Sequence, residues 1–488
     1  MRGSLAQLTA SIAGSRATRD AAFEGVSTDS RQVAPGALFV ALRGEKFDGH
    51  DFLDQVAARG VAGVVVEQLP EGFALPALVV PDTLAALGRI ANSWRKQYAI
   101  PLIGVTGSNG KTTVKEMISS ILAAAFGAEA RLATQGNLNN EIGVPLTLMR
   151  LAPSHRAAVV ELGMNHPGEI GRLAAIAEPT VGLVNNAQRE HQEFMHTVEA
   201  VARENGSVLQ ALPVDGVAVF PGDDEYTDLW RGLAKCDVLT FGLTDACDVH
   251  ATYTSNGFGS DLSVSVTPSF PRRREPMDTP HSSTLSMGGI ATGDSRLRGN
   301  DGQFSVKLAA AGEHNVRNAL AAIACACAAG IDHDAIVRGL ESFTPVGGRL
   351  QLKQAAIGAT VIDDTYNANP DSVRAAIDVL AGYLGERILV LGDMGEVGTQ
   401  GRQFHEEIGA YAKSRGIDTV LVTGELARHL AASGAQHFEQ FDELLAALDT
   451  KLGSKSDATV LVKGSRFMKM ERVVEHLTGS QNTGKEAH

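Results

Sequence analysis

The residues best placed to do chemistry lie at Gly104–Thr113, where Gly104, Gly107 and Gly110 precede Lys111, Thr112 and Thr113. Glycines let a backbone wrap closely around a phosphate, because no Cβ stands between the amides and the ligand. An ammonium at Lys111 would neutralise β- and γ-phosphate oxygens, and the Thr112 hydroxyl would ligate Mg²⁺. The strict spacing of such loops asks for glycine where Val105 stands, so this is a variant carried by Gly107 and Gly110, with Ser108 and Asn109 between them. A glycine-rich turn followed by a solvated lysine would use the same letters. The flanking segments favour phosphate binding: the apolar run Leu102–Val105 reads as a strand, and Thr112–Ala125 reads as a helix whose first amides point at an anion.

ATPases, kinases and ligases all share such a loop, so other groups must narrow the reading. Glu161 ends the apolar run Ala157–Leu162, and His191 follows Val181–Asn185. Both fall on the sheet edge that carries the loop, where a carboxylate and a neutral imidazole could hold a divalent metal. A lone Glu or His at a strand end is more often a surface residue. Further on, His314–Asn318 opens an Ala-rich helix, Gly348 and Arg349 follow a Pro/Gly break, and Asp363–Ser372 crowds polar groups behind a strand. Asp371 or Ser372 can cap the next helix. One cap leaves the remaining polar groups of that segment unexplained, which suggests a site.

The elements that must position these residues alternate. Strands are expected at Leu102–Val105, Ala157–Leu162, Val181–Asn185, Val217–Phe220, Val361–Asp363, Ile388–Leu391, Val420–Val422 and Thr459–Val462. Most are continuous apolar runs, as in parallel strands covered on both faces. Helical patterns lie between them. The fold class is therefore α/β, with ligand sites at the carboxyl ends of the strands. A chain of 488 residues exceeds a single core, and three domains are expected, breaking near residue 85 and near Phe343–Gly348.

The segment 268–303 is rich in Pro, Gly, Ser and Arg and separates the strand-like pieces Leu262–Thr267 and Phe304–Leu308. It reads as a disordered insertion at a hairpin tip, and 479–488 as a disordered tail. A net charge of −13 argues against a nucleic-acid or anionic-membrane surface. No apolar run approaches the roughly 20 residues of a membrane span, and the first residues have no signal-peptide core, so cytoplasmic residence is expected. The four cysteines lack metal-ligand spacing, and Cys325 and Cys327 read as packing residues.

Taken together, these motifs resemble the Mur ligase family over nearly the whole chain outside the insertion and the tail. Ser27–Arg31, Pro35–Gly36, Leu38–Leu42 and Asp48–Phe52 resemble its UDP-sugar-binding domain. Thr134–Asn140, Glu161–Asn165, Asn185–His191 and His314–Leu320 resemble its central domain, and Tyr366–Pro370, Leu391–Glu396 and Lys463–Arg466 its C-terminal domain. The resemblance implies an N-terminal UDP-sugar-binding α/β domain at 1–84, a central P-loop parallel-sheet ATPase domain at 85–344, and a C-terminal Rossmann-like ligase domain at 345–488.

It also implies ATP-dependent joining of a carboxylate to an amine through an acyl phosphate. The C-terminal motifs match the branch that adds D-alanyl-D-alanine to UDP-N-acetylmuramoyl-tripeptide in peptidoglycan precursor synthesis. By the same resemblance, Lys111 contacts the transferred phosphoryl group, and Thr112, Glu161 and His191 hold Mg²⁺. Asn315 and Asn318 meet adenine, while Arg349 and Asp364 reach the nucleotide from the C-terminal domain. Substrate contacts fall to Ser27, Asp29, Arg31, Asp48, Asn137, Asn139, Asn140, Tyr366, Asn367, Asn369, Asp393, Lys463, Ser465 and Arg466. A monomer with a hinge near Thr344–Gly348 is expected.

The family's carbamoylated, metal-bridging lysine has no counterpart here: Asn205 stands at its place, so a second metal site would need Glu204, an anion or water. Family members that add one amino acid, as in third-residue addition or folylpolyglutamate synthesis, are the alternative readings, with a P-loop ATPase lacking ligase activity as another.

Overall fold

In a computed structural model the chain is described for residues 1–44, 46–190, 192–257, 259–267 and 302–479. Three main sheets follow one another along it. The first has five strands and spans residues 16–79: Val26–Ser27, Leu38–Val40, Gly63–Val66 and Ala77–Val79 run parallel, and Arg16–Ala17 closes one edge antiparallel. The helix Thr83–Arg95 leads away from it and is tied to the second unit, because Asn92 and Arg95 donate to the carbonyls of Ala175, Ile176 and Ala177.

The second sheet has nine strands. Its core order is Val217–Pro221, Val181–Val184, Leu102–Thr106, Ala157–Glu161 and Arg131–Ala133, all parallel. Leu102–Thr106 is thus paired on both sides and wholly buried, as its unbroken apolar run requires. The other flank continues through Asp237–Gly242 and Val249–Ser255 into the antiparallel strands Ser260–Val266 and Gly302–Leu308. The last two form the expected hairpin, with Val266 opposite Gly302. Gly302 and Gln303 belong to a strand, so the insertion ends two residues earlier than the composition suggests; residues 268–301 lie outside the described residues. In the same way Gly479 caps the helix Glu471–Thr478 in left-handed backbone, and the rest of the tail lies outside the described residues.

The helix Lys111–Phe126 lies against this sheet with Val114, Met117, Ile118, Ile121 and Leu122 fully buried. Each such side chain contributes about 1.5–3 kcal/mol of transfer free energy. The helix His333–Glu341 packs so closely on it that a Cβ at Gly339 would lie 2.4 Å from the Cα of Ile121.

The third sheet has six strands in the order Gln351–Gln354, Thr360–Asp364, Thr459–Lys463, Arg387–Leu391, Thr419–Thr423 and Gln436–Phe438. All but the first are parallel. The carboxyl ends of Thr360–Asp364 and Thr459–Lys463 and those of Leu102–Thr106 and Ala157–Glu161 open onto one cleft of about 1250 Å³.

Candidate active site

The cleft is floored by the loop between Leu102–Thr106 and Lys111–Phe126. Gly107 and Gly110 hold φ of 136° and 80°. The second is also crowded: a Cβ at Gly110 would sit 2.4 Å from Asn318 Oδ1 and 2.7 Å from Asn185 Nδ2. Ser108 and Asn109 donate their backbone amides to Asn186, at 3.2 and 2.9 Å, so these two amides serve to fix the loop. Lys111, Thr112 and Thr113 form the first helical turn, whose amides have no partner within the helix, and they line the cleft.

Lys111 curls over the loop. Its Nζ donates to the carbonyls of Gly107 at 2.6 Å and Ser108 at 3.2 Å and pairs with Glu190 Oε1 at 2.8 Å. The Thr112 hydroxyl donates to Glu161 Oε2 at 2.9 Å, and Asn139 donates to Glu161 Oε1 at 2.9 Å. Glu161 is buried, and its own amide donates to the Thr134 hydroxyl. One hydroxyl beside one oriented carboxylate, facing the phosphate loop, fits Mg²⁺, which keeps several waters and takes few protein ligands. Among the described residues no cluster of three His, Cys, Asp or Glu side chains forms a closed metal cage. His191 lies outside the described residues.

The residues at the place of the bridging lysine do not fit a second metal. Thr106 donates to Asn205 Oδ1 at 2.7 Å, and both side chains are buried away from the cleft lining. Glu204 does not replace the missing charge: its oxygens accept the amides of Gly168 at 2.8 Å and Ile170 at 2.9 Å, at the start of the helix Glu169–Ala177.

Asn315 and Asn318, in the helix Glu313–Ala328, line the cleft but are chained to one another. Asn185 donates to Asn318, Asn318 donates to Asn315, and Asn315 donates to the Ala311 carbonyl. Beside them Arg317 pairs with Asp223 at 2.8 Å, and burial holds the carboxyl of Asp224 above the usual range. Burial likewise pushes the imidazole of the neighbouring His314 down. Asn137, Asn139 and Asn140 form another wall; Asn140 also accepts the amides of Ile142 and Gly143.

From the C-terminal unit come Arg349, Asp364, Tyr366, Asn367, Asn369, Lys463, Ser465 and Arg466, all lining the cleft. The Arg349 guanidinium lies 4.1 Å from the Tyr366 ring centroid. Asp364 and Lys463 form a buried pair at 2.5 Å, and Lys463 also donates to the Asn367 carbonyl. The helix Pro370–Ala381 is capped by Asn369 with Ser372 in a reciprocal box, so neither Asp371 nor Ser372 is the N-cap. Asn369 then donates to Asn109 Oδ1 at 2.9 Å, joining the two units across the cleft. Ser465 ties Gly395 N to Ala368 O, and Arg466 pairs with Glu471.

Several expected site residues are not brought to the cleft. Asp393 is turned inward: its carboxylate accepts the amides of Glu425, Leu426 and Ala427, at 3.0, 3.0 and 2.7 Å, at the start of the helical turn Ala427–Ser433. Ser27, Asp29, Arg31 and Asp48 also lie outside the cleft lining. Asp29 is paired with Arg31, which holds its carboxyl below the usual range, and Asp48 with His50 and Arg43. Conversely, Asn186, Gln188, Arg189 and Glu190 hold the loop and the C-terminal unit, although no individual role was expected of them. The signal was a run of polar residues directly behind the buried strand Val181–Val184.

The fold and cleft define a phosphate-loop α/β enzyme in which a second α/β unit closes over the loop. Three family models cover successive parts of the chain: the Mur ligase family catalytic domain at residues 22–95, the Mur ligase middle domain at 105–326, and the glutamate ligase domain of Mur ligases at 348–466. UDP-N-acetylmuramoyl-tripeptide–D-alanyl-D-alanine ligase of Escherichia coli (strain K12) is 37% identical over 97% of this chain and 98% of its own length. The crystal structure of MurF from Acinetobacter baumannii superimposes with a TM-score of 0.84 at 33% identity, covering 98% of both chains. MurF ligase from Thermotoga maritima in complex with ADP shares the fold, with a TM-score of 0.78 at 24% identity over 93% of this chain and 97% of that one. The chain belongs to the Mur ligase family.

Proposed function

We propose that this chain is the ATP-dependent ligase that joins D-alanyl-D-alanine to UDP-N-acetylmuramoyl-tripeptide in peptidoglycan precursor synthesis. The observation that carries the reading is the single cleft in which Lys111 and Thr112 face Arg349, Tyr366 and Lys463 from another unit. The names of the E. coli and A. baumannii relatives support the choice of substrates, and the ADP in the T. maritima complex supports ATP as the nucleotide.

In this reading the terminal carboxylate of the tripeptide takes the γ-phosphoryl group, leaving ADP. The dipeptide amine then attacks the acyl carbon, the carbon–oxygen bond to phosphate breaks, and the amine loses a proton. Such chemistry is largely positioning and charge neutralisation. Lys111 exchanges its contacts with the Gly107 and Ser108 carbonyls for phosphate oxygens, and the first helical amides donate to the same group. Mg²⁺, when bound, neutralises phosphate charge; Thr112 and Glu161 are the residues that would hold it, with His191 by family resemblance. Arg349 and Asp364 complete the nucleotide site, and Tyr366, Asn367, Asn369, Ser465 and Arg466 face the amine side.

The division into units at 1–84, 85–344 and 345–488 is supported by the three sheets, which fall within 16–79, 102–308 and 351–463. Gly348, with φ of 73°, supports a hinge near Thr344–Gly348. Cytoplasmic residence and a monomeric state belong to the same reading. No helix among the described residues is long and apolar enough to cross a membrane.

The test is phosphate release from ATP, omitting the UDP-linked tripeptide and the dipeptide in turn. Full release only with all components supports the reading. Release indifferent to both would make the chain a plain ATPase, and release driven by a single amino acid would place it with the other ligases of the fold.

A further inference from the structure

Arg189 stands immediately before Glu190, the residue that pairs with Lys111. It belongs to the central unit, yet its polar partners are in the C-terminal one. Its backbone amide donates to Asp371 Oδ2 at 2.9 Å, and its guanidinium reaches Asp371 Oδ1 at 2.6 Å and Glu407 Oε2 at 2.8 Å. Asp371 lies in the helix Pro370–Ala381 and Glu407 in the helix Gly401–Ser414, so one side chain ties two helices. Its Cζ lies 5.3 Å from the Phe404 ring centroid, and Arg374 also pairs with Glu407 at 3.0 Å. The three side chains Arg189, Asp371 and Glu407 are 22%, 23% and 32% exposed, so the pairs are partly withdrawn from solvent. A planar fork with two carboxylates is a geometry a lysine cannot reproduce.

We propose that Arg189 is a positioning residue that latches the C-terminal unit over the phosphate loop. The inference rests on the functional reading above. Contacts to the nucleotide come from both units, so a ligand that needs the closed arrangement binds more weakly in proportion to the fraction that is open. Losing Arg189 therefore lowers apparent affinity, while saturating nucleotide restores closure and turnover.

The experiment compares wild type, Arg189→Ala, Arg189→Lys and Glu407→Gln in steady-state phosphate release and in small-angle scattering without nucleotide. For Arg189→Ala the KM for ATP rises about ten-fold or more, the change expected when a charged, hydrogen-bonded anchor is lost. Its kcat stays within about two-fold, because saturation repopulates the closed state. Its radius of gyration increases and returns to the wild-type value with Mg-ADP. Arg189→Lys recovers part of both effects. Glu407→Gln shows the same split in milder form and serves if Arg189→Ala does not fold. An unchanged KM, or a fall in kcat at constant KM with unchanged scattering, overturns the latch. Wild-type protein inactive with these substrates would instead overturn the functional reading, and the scattering comparison would still judge the latch.

Discussion

Asp393 offers the sharpest contrast between a motif and its geometry. The stretch Leu391–Glu396 matches the family, and a carboxylate there reads as a substrate contact. In the structure Oδ1 accepts the amides of Leu426 and Ala427 and Oδ2 that of Glu425. Asp393→Asn keeps the shape but turns an NH₂ toward one amide, most simply that of Glu425. That costs one charge-assisted bond and leaves a donor facing a donor, about 2–3 kcal/mol for a largely buried group. Asp393→Ala removes all three bonds and costs about 3–5 kcal/mol, the range of a broken buried network. For a unit of this size each kcal/mol lowers the unfolding midpoint by roughly 2–4 °C, so the Asn variant melts about 4–12 °C lower. The assay pairs a thermal melt of the C-terminal unit with KM for D-alanyl-D-alanine at a temperature where both proteins are folded. The melt falls and KM stays within about two-fold, since no ligand contact is lost. An unchanged melt with a ten-fold rise in KM would refute this reasoning and return Asp393 to the substrate.

Gly110→Ala places a Cβ in left-handed backbone, at about 1 kcal/mol or more, and drives it into the Asn318 and Asn185 amides. Nucleotide binding by calorimetry should weaken at least ten-fold with the melt lowered by only a few degrees; wild-type affinity would contradict the loop geometry. His405 is fully buried between two polar contacts, accepting the Met394 amide at Nε2, which leaves Nδ1–H to donate to the Gly401 carbonyl. Burial pushes its pKa down. The unfolded chain therefore binds a proton below about pH 6.5 that the folded chain refuses. This contribution is complete above that pH and is lost as pH falls from there through the folded pKa. Denaturant midpoints between pH 7.5 and 5.5 should decline in wild type and decline less in His405→Gln; parallel curves would discount the histidine.

The parallel strands were legible because burial on both faces leaves apolar runs such as Ala157–Leu162, whatever the tertiary context. Edge strands such as Arg131–Ala133 and Gln436–Phe438 were not, because three residues are too few to show an apolar run or an alternation. The loop was legible for a similar reason, since left-handed backbone at Gly107 and Gly110 writes itself as glycine. Side-chain direction is another matter. Glu204 and Asn205 are neighbours in one helix, yet one caps the helix Glu169–Ala177 and the other meets Thr106, partners 34 and 99 residues away. No local pattern encodes such pairings. The role of Arg189 is not legible locally, because a lone arginine in a polar run says nothing until Asp371 and Glu407 are folded against it.

The account centres on a carboxylate activated by phosphoryl transfer, and oxygen tracing tests that directly. With ¹⁸O in both oxygens of the terminal carboxylate of the UDP-linked tripeptide, one turnover with ATP and D-alanyl-D-alanine should leave one labelled oxygen in the released phosphate and one in the new amide. Unlabelled phosphate, with product formed, would contradict the acyl-phosphate route.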